Sequence, residues 1–169
     1  NGFDRELRER ILGMVPHGVL YQAGGIQDWQ ELAARVDQFP GVEASAPLTR
    51  LQGMMGANGR VRGVIVTGVA PEAEARVSIL PEHMTEGSIT DLLPGEYGVL
   101  LGDLLARSLD VVVGDKLTLM LPEATFSPAG VIPRVRRLTV VGIFSVGAEL
   151  DSNLAVIHLQ DAAKLGRLN

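Results

Sequence analysis

Residues 116–144 read KLTLMLPEATFSPAGVIPRVRRLTVVGIF. At 116–121 the two-residue period of a strand places Leu117, Leu119 and Leu121 on one face. Residues 137–144 read as a second strong strand. The segment between them holds Pro122, Pro128, Gly130 and Pro133. Proline has no N–H to give and a fixed φ, so this composition predicts a loop and excludes a regular helix or an interior strand. The loop is nonetheless apolar, with Phe126, Ala129, Val131 and Ile132. Loops run over the surface and carry function when their composition is unusual. An apolar one suggests a partner-binding protrusion. Arg134, Arg136 and Arg137 follow it at once.

Working outward, residues 154–158 read as a third strand and 161–168 as a closing helix. Upstream, 97–101 reads as a short strand, 103–109 as a short helix and Val113-Gly114-Asp115 as a turn. Residues 71–95 read mostly as loop, with a short strand or turn near 77–80. Residues 42–55 read as a strand with a break at Ala46-Pro47, and 61–69 as its partner. Asn58-Gly59 between them is a strong hairpin signal, because both turn residues must accept positive φ. Trp29, Leu32, Ala33 and Val36 form the buried stripe of a helix with Asp28 as its cap and Glu31 in the capping-box position. Before it, Phe3, Leu7, Ile11 and Met14 stripe a helix that Pro16 ends, and 17–23 reads as a strand with a Gly24-Gly25 turn. That first stripe has two readings: packing on its own sheet, or continuation of a membrane helix preceding Asn1.

Composition bounds the function. The chain has 169 residues, 46% hydrophobic and 21% charged, which is a globular balance and a length for one domain, at most two lobes. A formal net charge of -5 disfavours nucleic acid and anionic membrane surfaces. Cys 0 removes disulfides, thiol nucleophiles and Cys-based zinc sites. Aromatics at 4% disfavour base stacking. Gly 20 and Pro 9 point to many short elements in a strand-rich mixed fold. No run approaches the ~18 apolar residues of a membrane helix. A start at Asn1 and an end at Asn169 read as the cut ends of a longer chain.

The search for chemistry finds little. His17, His83 and His158 lack a second ligand at helical metal spacing. No Gly-x-Ser-x-Gly elbow is present. Gly53 to Gly59 lacks a phosphate-loop lysine and reads as a hairpin. Gly98 to Gly102 reads as a strand-to-helix turn, Asp103 as an N-cap and Asp115 as a turn residue. Met54-Met55 is either a soft partner surface or core filling. Glu149 and Asp151 share a loop and are the one candidate acid/base pair, with solvated turn residues as the ordinary reading. No catalytic, cofactor or metal residue is expected.

Four motifs in order carry a family resemblance. Residues 1–13, NGFDRELRERILG, resemble the segment after the first transmembrane helix of LolC/LolE-family lipoprotein-releasing permeases. GDLLA at 102–106, VGDKL at 113–117 and VVGIF at 140–144, with Asp151, look like the periplasmic core domain shared with MacB-class ABC transporters. The resemblance implies an α+β fold with two lobes. Residues 1–70 and 147–169 would form a porter-like α/β lobe, and 71–146 a strand-rich inserted lobe like the MacB Sabre.

In that family a protruding hook recruits the periplasmic chaperone LolA. The resemblance places the hook at 122–136. Its implied contact residues are Pro122, Phe126, Ser127, Pro128, Ala129, Gly130, Val131, Ile132 and Pro133, flanked by basic Arg134 and Arg136. On the entering strand Thr118 and Met120 offer no charge. The resemblance further implies a non-catalytic periplasmic domain of an inner-membrane permease, with a LolE-like permease and a LolD-like cytoplasmic ATPase as partners and outer-membrane lipoproteins as cargo. The competing transporter reading is a MacB/FtsX-class domain for efflux or division-linked mechanotransmission, with a different partner.

Overall fold

The computed structural model describes residues 28–128 and 130–166. The expected helix before Pro16, the strand over 17–23, the Gly24-Gly25 turn, Ala129 and residues 167–169 lie outside them. The elements are α1 (Trp29–Val36), β1 (Leu48–Ala57), β2 (Arg60–Val69), α2 (Pro71–Val77), β3 (Met84–Glu86), β4 (Gly98–Gly102), α3 (Asp103–Leu109), β5 (Lys116–Ser127), β6 (Gly130–Phe144), α4 (Ala148–Asp151), β7 (Leu154–His158) and α5 (Leu159–Gly166). Two 3-10 turns, Leu80–His83 and Ile89–Asp91, flank β3. The architecture is α+β.

The seven strands hydrogen-bond in the order β3-β6-β4-β7-β2-β1-β5, and β5 also pairs with β6. The ladder from β6 round to β5 therefore closes on itself, which leaves no free edge in that six-strand circuit. β2 and β7 are parallel, as are β4 and β6, while β1 and β2 form an antiparallel hairpin. Strands from 71–146 and strands from the flanking segments share this one sheet.

Alternation along β4 and β7 explains why 98–102 and 154–157 are apolar without a break. Val99, Leu101, Ala155 and Ile157 face a core with Met55, Leu119 and Leu138. Leu100, Leu154 and Val156 face a second core with Leu80, Ile89 and Phe144. A strand covered on both faces reads as a continuous hydrophobic run. On β5, Leu117, Leu119 and Leu121 are buried together, as their period predicts.

The Asn58-Gly59 turn forms with φ of 54° and 73°, the positive-φ pair that a two-residue hairpin needs. The Asn58 side chain does a second job. Its Nδ2 donates to the carbonyls of Leu109 at 3.0 Å and Asp110 at 2.7 Å, at the C-terminus of α3. There Asp110 adopts a left-handed conformation, and Val111 N–H returns to the Ala106 carbonyl at 3.0 Å. This is a Schellman closure, and Asn58 satisfies carbonyls that it leaves over.

Several elements differ from expectation. Residues 71–95 are not mostly loop. Pro71 opens α2, with Glu72 and Glu74 in its first turn and Arg76 in its last, which suits the helix dipole. The short strand falls at Met84–Glu86 and not near 77–80. Residues 42–47 are irregular, and β1 starts only after Pro47, whose ring cannot donate to a ladder. Asp28 makes no side-chain cap, and the α1 stripe is half-buried, not buried. Gly102 is the N-cap of α3, so Asp103 is its first helical residue.

Candidate partner-binding site

The segment expected as a loop is a two-stranded arm. β5 runs to Ser127 and β6 starts at Gly130, with Ser127 opposite Gly130, Phe126 opposite Val131 and Thr125 opposite Ile132. The prolines explain both the expectation and the outcome. Leu121 is opposite Arg134, but the next partner pair is Thr125 and Ile132, so residues 122–124 stand against Pro133 alone. Pro122 and Pro133 both fall in this bulge, where the ladder is already broken and no N–H is needed. Pro128 sits in the turn, where its fixed φ is an asset, and Gly130 takes the turn's positive φ of 115°.

The arm stands apart from the closed sheet. β1 pairs with β5 only at residues 118–120, and β4 pairs with β6 only from Thr139 onward. Beyond Leu121 and Arg134 the two strands pair only with each other. Six residues from Leu121 to Ser127 give it a reach of roughly 20 Å at strand rise. Pro122, Pro128 and Gly130 are exposed.

At the root of the arm, Arg134 and Arg136 continue the inward-facing row that holds Leu138 and Val140. The two arginines behave differently. Arg134 is half-buried, and its Nη1 donates to the carbonyl of Leu165 near the C-terminus of α5. A cation there complements the helix dipole. Its Nε is buried without a partner. Arg136 is exposed, and its guanidinium carbon lies 3.7 Å from the centroid of the Tyr97 ring. Tyr97 carried no signal in the sequence; its role depends on β4 lying beside β6.

Two open grooves lie at this root, of about 230 Å³ and about 450 Å³. Tyr97, Val135 and Arg136 line both, Lys164 adds to the first, and Lys116 and Arg137 add to the second. Val135 is 56% exposed. The arrangement is a positively charged, partly apolar concavity beneath a projecting arm, suited to docking a macromolecule.

The candidate acid pair is not a solvated pair. Glu149 is exposed, but Asp151 is 3% exposed. Its Oδ1 accepts from Val146 N–H at 2.7 Å and its Oδ2 from Gly147 N–H at 3.1 Å. Burial pushes the Asp151 carboxyl above the usual range, opposed by these two bonds and assisted by the nearby charge of Asp103. Both Asp151 oxygens are committed to backbone. His158 Nδ1 accepts from Gln160 N–H at 3.1 Å, and His83 lies in a 3-10 turn. Among the described residues, no three metal-type ligands come together.

A family model described as the MacB-like periplasmic core domain matches residues 3–168. The chain belongs to this family. It is 38% identical, over all of its length, to the lipoprotein-releasing system transmembrane protein LolC of Neisseria meningitidis serogroup B. It spans 41% of the length of that relative. Among solved structures, the extracellular domain of the noncanonic ABC-type transporter YknZ from Gram-positive bacteria superposes with a TM-score of 0.56 at 11% identity, covering 85% of this chain and 67% of that one. The periplasmic region of MacB from Actinobacillus actinomycetemcomitans gives 0.54 at 12% identity, covering 80% of this chain and 56% of that one. These two likenesses establish the shared MacB-like fold. Among the described residues, no helix is long and apolar enough to cross a membrane.

Proposed function

We propose that this MacB-like domain is the periplasmic part of an inner-membrane lipoprotein exporter of the LolCDE type, and that its arm is the hook that recruits LolA. The observation that carries the reading is the self-paired arm of residues 122–133, set on a domain that is 38% identical to LolC over its whole length. In this reading membrane helices flank the domain in the full protein. A LolE-like permease and a LolD-like cytoplasmic ATPase complete the complex, and outer-membrane lipoproteins are the cargo. Residues 1–70 with 147–169 form the porter-like lobe, and 71–146 form the Sabre-like lobe that carries the hook.

The physical case rests on order and chemistry. Paired strands bounded by prolines lose little conformational freedom on docking. Phe126 and Ile132 supply apolar anchors at the end of the arm, and Arg136 supplies a charged rim at its root. Arg134 serves the same surface through its hold on α5.

The test is calorimetric titration of LolA from the same organism into the domain and into a variant in which Asn-Gly replaces residues 122–133. Binding to the intact domain and none to the shortened one is the expected result. Equal affinity for both sinks the hook assignment.

A further inference from the structure

Five cations line the grooves at the root of the arm; Arg134 is taken up by the Leu165 carbonyl, which leaves four, Arg136 with Lys116, Arg137 and Lys164, and Glu96 is the acidic residue lining the same grooves. Among the described residues none of these four lies within ion-pair distance of a carboxylate. In a chain of net charge -5 this is a local reversal of sign, and a concave wall concentrates the field of such charges. Arg136 differs from the other three because something holds it. Its guanidinium sits over the Tyr97 ring while donating no hydrogen bond to the described residues.

The holder is itself held. Tyr97 has φ of 53°, a left-handed conformation that an aromatic residue adopts only when its surroundings impose it. Those surroundings are visible. Asp161, fully buried on α5, accepts from Gly95 N–H at 2.7 Å through Oδ1 and from Tyr97 N–H at 3.1 Å through Oδ2. The Tyr97 carbonyl accepts from Thr139 N–H on β6 at 3.1 Å. The ring packs against the main core. A buried carboxylate on one element thus fixes an uncommon backbone turn on a second, and that turn aims a ring beneath an arginine on a third.

We infer that Tyr97 and Asp161 are positioning residues that hold the Arg136 guanidinium ready, with its N–H donors free, for a carboxylate of the docking partner. The inference rests on the proposed recruitment of LolA for the identity of that partner. An arginine free in solution loses rotamer freedom when it binds, whereas one already stacked has lost much of it. The stack also leaves the planar fork available for bidentate pairing.

The experiment has two arms. In the free domain, the Arg136 Nε–Hε NMR signal is expected to be ring-shifted and rigid in the wild type and in Tyr97→Phe. In Tyr97→Leu it is expected to be mobile and unshifted. In Asp161→Asn, where the turn is weakened, it is expected to move part of the way. An unshifted, mobile signal in the wild type overturns the inference. In the second arm, LolA affinity falls about 2- to 10-fold in Tyr97→Leu, the scale of one side chain's ordering cost. It is unchanged in Tyr97→Phe, and Tyr97→Leu has no further effect on top of Arg136→Ala. An equal loss in both backgrounds means that Tyr97 acts structurally and overturns the inference. Failure of the wild type to bind LolA, with a rigid ring-shifted Arg136 signal, overturns the recruitment reading and upholds the positioning.

Discussion

Gly102, at the end of β4, lies directly against the backbone of Asp151. A Cβ on Gly102 meets the Asp151 carbonyl oxygen, Cα and carbonyl carbon, all far inside van der Waals contact. Backbone cannot swing aside as a side chain can. Gly102→Ala is therefore expected to cost about 3 kcal/mol, at the upper end of overpacking penalties. Gly63 is the control: a Cβ there meets nothing within 4 Å, and Gly63→Ala should be neutral or stabilise by up to about 1 kcal/mol. Urea unfolding of both variants checks the pair. Equal midpoints for the two overturn the prediction.

Asp151 is buried, and its carboxyl makes stability depend on pH in an unusual direction. Burial pushes both Asp151 and Glu74 above their usual carboxyl range, and the Ser78 hydrogen bond only partly offsets the effect at Glu74. Between the ordinary carboxyl value and the raised one, the folded state binds more protons than the unfolded state. Stability contributed by these two groups therefore rises as pH falls through that window and is lost as pH rises above it. As pH falls from neutral toward the ordinary carboxyl range, the urea midpoint of the wild type should rise relative to that of Glu74→Gln/Asp151→Asn. The double variant starts lower, since Asn offers the backbone amides one oxygen fewer, so the readout is the difference in slope. A steeper rise in the variant contradicts the assignment.

Asn58 joins two requirements at one position. It adopts positive φ, and its amide donates to two carbonyls that α3 leaves open. Asn58→Gly keeps the turn and loses only the bonds, at an expected cost of about 1–2 kcal/mol. Asn58→Ala loses both and should cost more. Comparable stability of the Ala and Gly variants in urea melts removes the backbone part of the argument.

The arm should be separable from the fold. Because residues 122–133 pair only with one another, replacing them with Asn-Gly joins Leu121 to Arg134 by a two-residue turn of the favoured kind. The unfolding free energy should change by no more than about 0.5 kcal/mol, as for surface changes generally. LolA binding should fall away. In the intact arm, Phe126→Ala should weaken LolA binding by about 1–3 kcal/mol, in the range of a hot-spot truncation. Loss of cooperative melting in the shortened domain means that the arm belongs to the core.

Local signals in the sequence were strong wherever one residue type has one physical use. Asn58-Gly59 announced its hairpin because few other pairs tolerate two positive φ values. Leu117, Leu119 and Leu121 announced a half-buried strand because the period of two has no helical counterpart. Residues 154–158 and 103–109 form the strand and helix that their patterns predict. The reading of 71–95 as mostly loop misses that proline is at home in the first turn of a helix; Pro71 with the acidic residues that follow it was the available clue.

By itself the sequence determined most of the strands outside the arm, the Asn-Gly turn, the absence of thiol chemistry and the proline-bounded apolar segment after Leu121. Each of these depends on covalent geometry or on neighbours a few positions away. Only the tertiary structure decided that the apolar segment is a paired arm, that Asp151 is buried, and that Asp161, Tyr97 and Arg136 form one device across three elements. The reason is physical. Backbone pairing across the arm depends on a register in which both bulge prolines fall where no N–H is required. The Asp161 bond to Tyr97 N–H joins residues 64 apart in the chain, a separation at which no local period or propensity operates.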